Sequence, residues 1–160
     1  DLHCCANPAQ ADIIISCREP DADDALHLIP RIHHIGIGCR RGAPVELLTE
    51  AVVRTCRTHH IPLPSIGGIA SVDVKKDEKG LQELADMNKW PVRFYTSEQL
   101  NALSCPNASK TVYAKIGTHG VCEPAAMLAA GSPAQPGKLI VAKEKWKHVT
   151  TAVARQIPYK

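Results

Sequence analysis

The run Gly36-Ile37-Gly38-Cys39-Arg40-Arg41-Gly42 stands between a predicted strand and a predicted helix, and its residue types suit an anion. Glycines let the backbone turn sharply and approach a ligand closely. The helix that follows offers unpaired N–H groups and the positive end of its dipole. Arg40 and Arg41 add forked donors matched to carboxylates. The run is not a P-loop, because the Gly-Lys-Ser/Thr ending is missing. Nor is it the dinucleotide spacing G-x-G-x-x-G, since Gly42 falls one place late. A tight strand-to-helix turn with solvated arginines accounts for the same pattern.

A second glycine-containing loop, Gly117-Thr118-His119-Gly120-Val121-Cys122-Glu123, also leads into a helix. Glu123 near that start is favoured by the dipole, as a plain cap or as an ionised general base. In the third cluster, Ser71-Val72-Asp73-Val74-Lys75, placement on one strand puts Ser71, Asp73 and Lys75 on one face. A carboxylate and an ammonium then meet at the C-terminal end of a strand, where open α/β sheets bind their ligands. Asp77 as a helix cap accounts for Asp77 and Glu78 but not for Asp73. Lys143, Lys145, Trp146, Lys147 and His148 form a basic turn with one aromatic, able to grip acidic groups or stack on a flat ring, or simply a polar hairpin. Cys39 precedes a helix start, where a thiolate is stabilised, but with no base that sequence can place beside it, it reads as a buried thiol.

Other chemistries are excluded. There is no G-x-S-x-G elbow. Seven cysteines with no C-x-x-C spacing argue against a disulfide framework or a zinc knuckle, and for reduced thiols in a cytoplasmic protein. His33-His34 and His59-His60 are adjacent pairs, which diverge on either a strand or a helix, so they read as solvated or capping residues and no metal site is expected. A net charge of +3 is too small for a nucleic-acid footprint but suits a partner that carries carboxylates. No apolar run is long enough to span a membrane, and no signal peptide is visible.

The elements that position these groups follow from periodicity. Ala11 to Ser16 reads as a short buried strand, and Glu19 to Asp24 as an acidic linker. Strands are then expected at Ile32–Gly38, Ser65–Val74, Pro91–Tyr95, Leu139–Ala142 and Val149–Ala154. Helices are expected at Pro44–Arg57, Glu78–Asn88 behind an Asp77 cap, Ser97–Leu103 capped by Ser97 or by Thr96 in its place, and Val121–Ala130, the last stopped by Gly131. Such alternation predicts a three-layer α/β/α sandwich around a mixed, mostly parallel sheet of at least five strands, its last two closing as a hairpin. The strand ends carrying Gly38 and Asp73 should open onto one cleft. Aromatics are only 4% of the chain, so Ile, Val, Leu and Ala must fill the core.

Four segments taken together resemble one family. They are His34-Ile35-Gly36-Ile37-Gly38-Cys39-Arg40-Arg41-Gly42, Ile69-Ala70-Ser71-Val72-Asp73-Val74-Lys75-Lys76-Asp77-Glu78-Lys79-Gly80-Leu81, Pro91-Val92-Arg93-Phe94-Tyr95-Thr96-Ser97-Glu98-Gln99-Leu100 and Gly120-Val121-Cys122-Glu123-Pro124-Ala125-Ala126. In order and spacing, from Ile32 to Arg155, they resemble the C-terminal domain of cobalt-precorrin-5A hydrolases, also found as the stand-alone protein CobE. Thr118-His119 and the proline-containing loop after Gly131 depart mildly from the pattern. Residues 1–30 resemble the tail of the region that precedes this domain in the longer hydrolases, and residues 31–160 the domain itself.

The resemblance implies a role in vitamin B12 synthesis, acting on a cobalt-corrinoid intermediate. Cobalt is then carried within the substrate, and no cofactor is bound by the protein itself. It implies opening of the δ-lactone of cobalt-precorrin-5A with loss of acetaldehyde, by this chain or by a longer one that contains it; the alternative is a non-catalytic carrier like CobE. Other enzymes of the pathway are the partners it suggests. Chemistry then assigns Asp73 or Glu123 as the base, and Gly36, Gly38, Cys39, Arg40, Arg41, Lys75 and Gly120 as substrate-binding.

Overall fold

A computed structural model describes residues 11–18, 25–103 and 120–157. Near the N-terminus, β1 (Ile13–Ile15) and β2 (Leu26–Leu28) pair in parallel as a separate two-stranded sheet. The expected strand is there, but it is not buried: Ile13, Ile15, Leu26 and Leu28 are all exposed. The acidic linker between them lies outside the described residues.

The main body alternates as expected. Strand β3 (His33–Cys39) leads to α1 (Val45–Thr58), β4 (Ile66–Val72) to α2 (Lys79–Asn88), and β5 (Val92–Tyr95) to α3 (Ser97–Asn101). Helix α4 (Cys122–Ala129) and the hairpin of β6 (Lys138–Trp146) and β7 (Val149–Arg155) complete it. The five strands lie in the order β5-β4-β3-β7-β6. Strands β3, β4 and β5 are mutually parallel, whereas β7 runs against both β3 and β6, so four of the five point one way.

Period-two alternation divides the sheet's faces. Ile35, Ile37, Ile69 and Val153 pack with Leu48 and Val52 of α1 and Leu81 and Leu84 of α2. On the other face Ala70 and Val72 meet Leu100 of α3 and Ala125, Leu128 and Ala129 of α4. This is the expected three-layer α/β/α sandwich. Helix α4 lies unusually close to the sheet: a Cβ on Gly36 would run into the Cys122 carbonyl. Small residues on both sides, Gly36 below and Ala126 above, make that approach possible.

Some boundaries differ from expectation, that of β6 among them: it runs from Lys138 to Trp146 where Leu139 to Ala142 was expected. Strand β4 stops at Val72, and Asp73–Lys75 form a single 3-10 turn. Ser71, Asp73 and Lys75 therefore do not share a strand face; Ser71 is buried and donates to the Ile37 carbonyl at 2.7 Å. Helix α2 is capped at Glu78, not Asp77. Of the two expected caps, Thr96 rather than Ser97 caps α3, through a capping box with Gln99. Among the described residues no helix is long and apolar enough to cross a membrane.

Candidate functional site

Because β3, β4 and β5 are parallel, their C-terminal ends share one edge, and the tip of the β6–β7 hairpin joins them there. The turn after β4 leads to α2 on one face, whereas the turn after β5 leads to α3 on the other. Neighbouring strands whose connections diverge leave a crevice between their ends, the usual ligand position in open α/β sheets. Asp73 stands at that position. It is half-buried, and its carboxylate has no hydrogen bond or ion pair among the described residues.

Next to it, the turn after β3 is held by a residue that sequence reasoning had set aside as part of a capped turn. Glu78 Oε2 accepts the Gly42 N–H at 2.8 Å, and Oε1 accepts from the Lys75 ammonium at 3.1 Å. The Glu78 and Lys75 side chains are only 10% and 12% exposed. Arg41 Nε lies 3.9 Å from the same carboxylate. Burial pushes the Glu78 carboxyl upward, but the Gly42 N–H and Lys75 outweigh it and hold the group below its ordinary value. The anion received by the glycine turn is thus the chain's own Glu78, which staples the β3–α1 turn to the β4–α2 turn. The signal available in sequence was the Lys75 to Glu78 spacing across a single turn. Beside the staple, Arg41, Pro44, Glu46, Asp77, Lys79 and Glu83 line part of a cavity of about 550 Å³ between the starts of α1 and α2.

The other predicted residues are distributed around this edge. Arg40 is exposed, and its backbone N–H donates to the His148 carbonyl at 3.0 Å, tying the turn to the hairpin tip. Gly38 faces α4, where Thr150 Oγ1 fills the space that a side chain would need. Gly36 lies beneath α4, so its missing Cβ serves packing. Cys39 is half-buried; burial raises its thiol pKa, only partly offset by Lys75. The same cause pushes Cys56 up to about 12 and Cys122 to about 11. Such thiols are poor nucleophiles at neutral pH.

Glu123 is 2% exposed and accepts the Lys143 N–H at 2.9 Å. The β6–β7 register shifts between Val141 and Glu144, so Lys143 sits at a break in the ladder. Glu123 supplies an acceptor there and braces α4 to β6. Gly120, half-buried, enters α4 at the same edge. Gly117 to His119 lie outside the described residues.

The remaining candidates are structural. Trp146 does not project as a stacking platform: its Nε1–H donates to Thr151 at 2.9 Å and Thr55 at 3.2 Å, and Arg54 lies 6.0 Å over the ring. His33 and His34 are neither solvated nor capping. Both are 5% exposed at the opposite edge of the sheet, His33 bonded to Ser65 and His34 to Gln156. No group of three or more metal-ligating side chains is found among the described residues.

The profile of the family described as "Cobalamin synthesis G C-terminus" matches residues 33–154, the five-stranded sheet almost to its last residue. Over 130 residues the chain is 35% identical to cobalt-precorrin-5A hydrolase of Priestia megaterium, covering 81% of this chain and 33% of that protein. It is 32% identical over 122 residues to protein CobE of a Sinorhizobium species, covering 75% of this chain and 77% of CobE. A crystal structure of CobE, a protein from the cobalamin (vitamin B12) biosynthetic pathway, superposes with a TM-score of 0.72 at 31% identity, covering 82% of this chain and 95% of that one. The chain therefore spans a third of the length of this hydrolase relative and most of CobE.

Proposed function

The chain belongs to the family of cobalamin synthesis G C-terminal domains, and from that premise we propose that it binds a cobalt-corrinoid intermediate of vitamin B12 synthesis in the cytoplasm. Within a hydrolase it takes part in opening the δ-lactone of cobalt-precorrin-5A, with loss of acetaldehyde, to give cobalt-precorrin-5B. The observation that carries this reading is the half-buried carboxylate of Asp73, unpartnered among the described residues, at the crevice beside a basic turn. Lactone opening needs a base to activate water at the carbonyl and cations to hold the substrate's peripheral carboxylates. Asp73 fits the base better than Glu123, whose buried carboxylate already serves β6. Arg40 and Arg41 fit the carboxylates, with Lys75 held beside them by Glu78.

A second reading is favoured by the match to nearly the whole of the CobE structure: the domain carries the corrinoid without performing chemistry. Acetaldehyde release from cobalt-precorrin-5A, measured for this chain and for a full-length hydrolase with and without Asp73→Asn, decides between them. Loss of release in the full-length Asp73→Asn variant, with corrinoid binding retained, supports the catalytic reading. Unchanged release removes Asp73 from the reaction. Binding without release by either protein leaves the carrier reading alone standing.

A further inference from the structure

On the β3–α1 turn and the β6–β7 hairpin, three cations have no engaged side chain among the described residues. Arg41 and Lys75 are drawn to Glu78, but Arg40, Lys145 and Lys147 are exposed and their side chains have no hydrogen-bonding or ionic partner among the described residues. The sheet fixes how they stand to one another. Gly38 on β3 lies opposite Thr150 on β7, and Thr150 lies opposite Lys145 on β6. Two strand spacings put the Gly38 and Lys145 backbones about 10 Å apart. Residues directly opposite share a face, so Lys145 lies on the side of Thr150, whose hydroxyl donates to the Gly38 carbonyl at 3.2 Å. One step further out, the Arg40 N–H on the His148 carbonyl tethers the hairpin tip to the glycine turn. The hairpin and the turn therefore present their charges from one connected surface.

We propose that Arg40, Lys145 and Lys147 form a carboxylate-binding rim, with the β6–β7 hairpin gripping one peripheral side chain of a corrinoid and Arg40 another. The proposal rests on the corrinoid reading above. A corrinoid precursor bears carboxylates around the ring's periphery, several ångströms apart, and separated cations on one tethered surface match that array better than a single arginine fork. A nucleic acid fits less well, because the hairpin's one aromatic, Trp146, is committed to Thr55 and Thr151.

Calorimetric titration of the 160-residue chain tests this, with cobyrinic acid, whose peripheral side chains are free carboxylates, and with its fully esterified form as probes. The wild type should bind the acid and bind the ester far more weakly. Lys145→Gln with Lys147→Gln should weaken acid binding about tenfold, and adding Arg40→Gln about a hundredfold, with thermal unfolding unchanged. Lys89→Gln with Lys138→Gln removes equal charge from the opposite end of the sheet and should leave affinity unchanged. Equal weakening by that control pair would show unspecific attraction and overturn the rim. Acid binding that survives in the triple variant, or an ester bound as tightly as the acid, overturns the rim while the corrinoid reading stands. Failure of the wild type to bind the acid overturns both.

Discussion

The protein should lose stability as pH falls from 7.5 to 5, and His34 should account for much of the loss. His34 is 5% exposed at the start of β3. Burial, then the Arg93 guanidinium on β5 and the neighbouring His33, lower its pKa from 6.5 to about 4. Gln156 donates to its Nε2 at 3.2 Å, a bond that requires the neutral ring. The folded pKa is depressed, so the unfolded chain takes up the proton first. The stabilisation is complete above about 6.5 and is lost progressively as pH falls toward about 4. Between pH 7.5 and 5 the linkage comes to about 2 kcal/mol for this one ring. His33, lowered by burial and by Arg155 on β7, adds to it in the same direction. Urea unfolding at the two pH values, for wild type and His34→Gln, measures it. The variant should lose about 2 kcal/mol less than the wild type over that interval. An NMR titration that puts the folded His34 ring near 6.5 would refute the reasoning even if the variant fails to fold. The ring lies at the edge opposite the candidate site, so corrinoid binding offers no alternative account.

Substitutions at two further positions test the packing around the site. Gly36→Ala forces a methyl into the Cys122 carbonyl and should destabilise by about 3 kcal/mol, read from the urea midpoint; a wild-type midpoint would mean that α4 can lift off β3 freely. Glu78→Ala strands the nearly buried Lys75 ammonium and the Gly42 N–H and should cost about 3–5 kcal/mol. Glu78→Gln, which keeps an acceptor for Gly42, should cost less, and equal stability of all three proteins would show that the staple contributes nothing.

How far these features were legible depends on whether they are local. The apolar spacing of α1 and the glycine stop after α4 lie within a few residues, and both elements were placed within one or two positions. Strand β4 was overrun because Val72-Asp73-Val74 continues the apolar–polar alternation even though the backbone has already turned. Strand β6 was cut short because its irregular register, between Leu139 and Val141 and again before Glu144, spoils the period of two. His33 and His34 were misjudged for a different reason, whereas His59 and His60 are exposed, with His59 capping α1, as expected. The partners that make burial tolerable, Ser65 and Gln156, are 32 and 122 residues away and come together only in the folded sheet. Glu78 shows the same limit at the site itself. Its acceptance of the Gly42 N–H crosses 36 residues, so the glycine turn looked like an open anion receptor when the chain already supplies the anion.

That last point decides what the domain has left to offer a substrate. With Glu78 in the glycine turn, the groups still open at the C-terminal edge among the described residues include the half-buried carboxylate of Asp73 and the cations of Arg40, Lys145 and Lys147. Such an inventory is rich in means of holding an anionic ring and poor in means of breaking its bonds, since an oxyanion formed at the lactone needs donors aimed at it and the glycine turn's Gly42 N–H is taken. The proposed division of labour follows from this. Recognition is proposed for the sheet edge that the chain has in common with CobE and with a hydrolase of which it spans a third. On the proposed hydrolase reading, Asp73 is the group on this side that would work with oxyanion donors, and the Gly42 N–H is not among them.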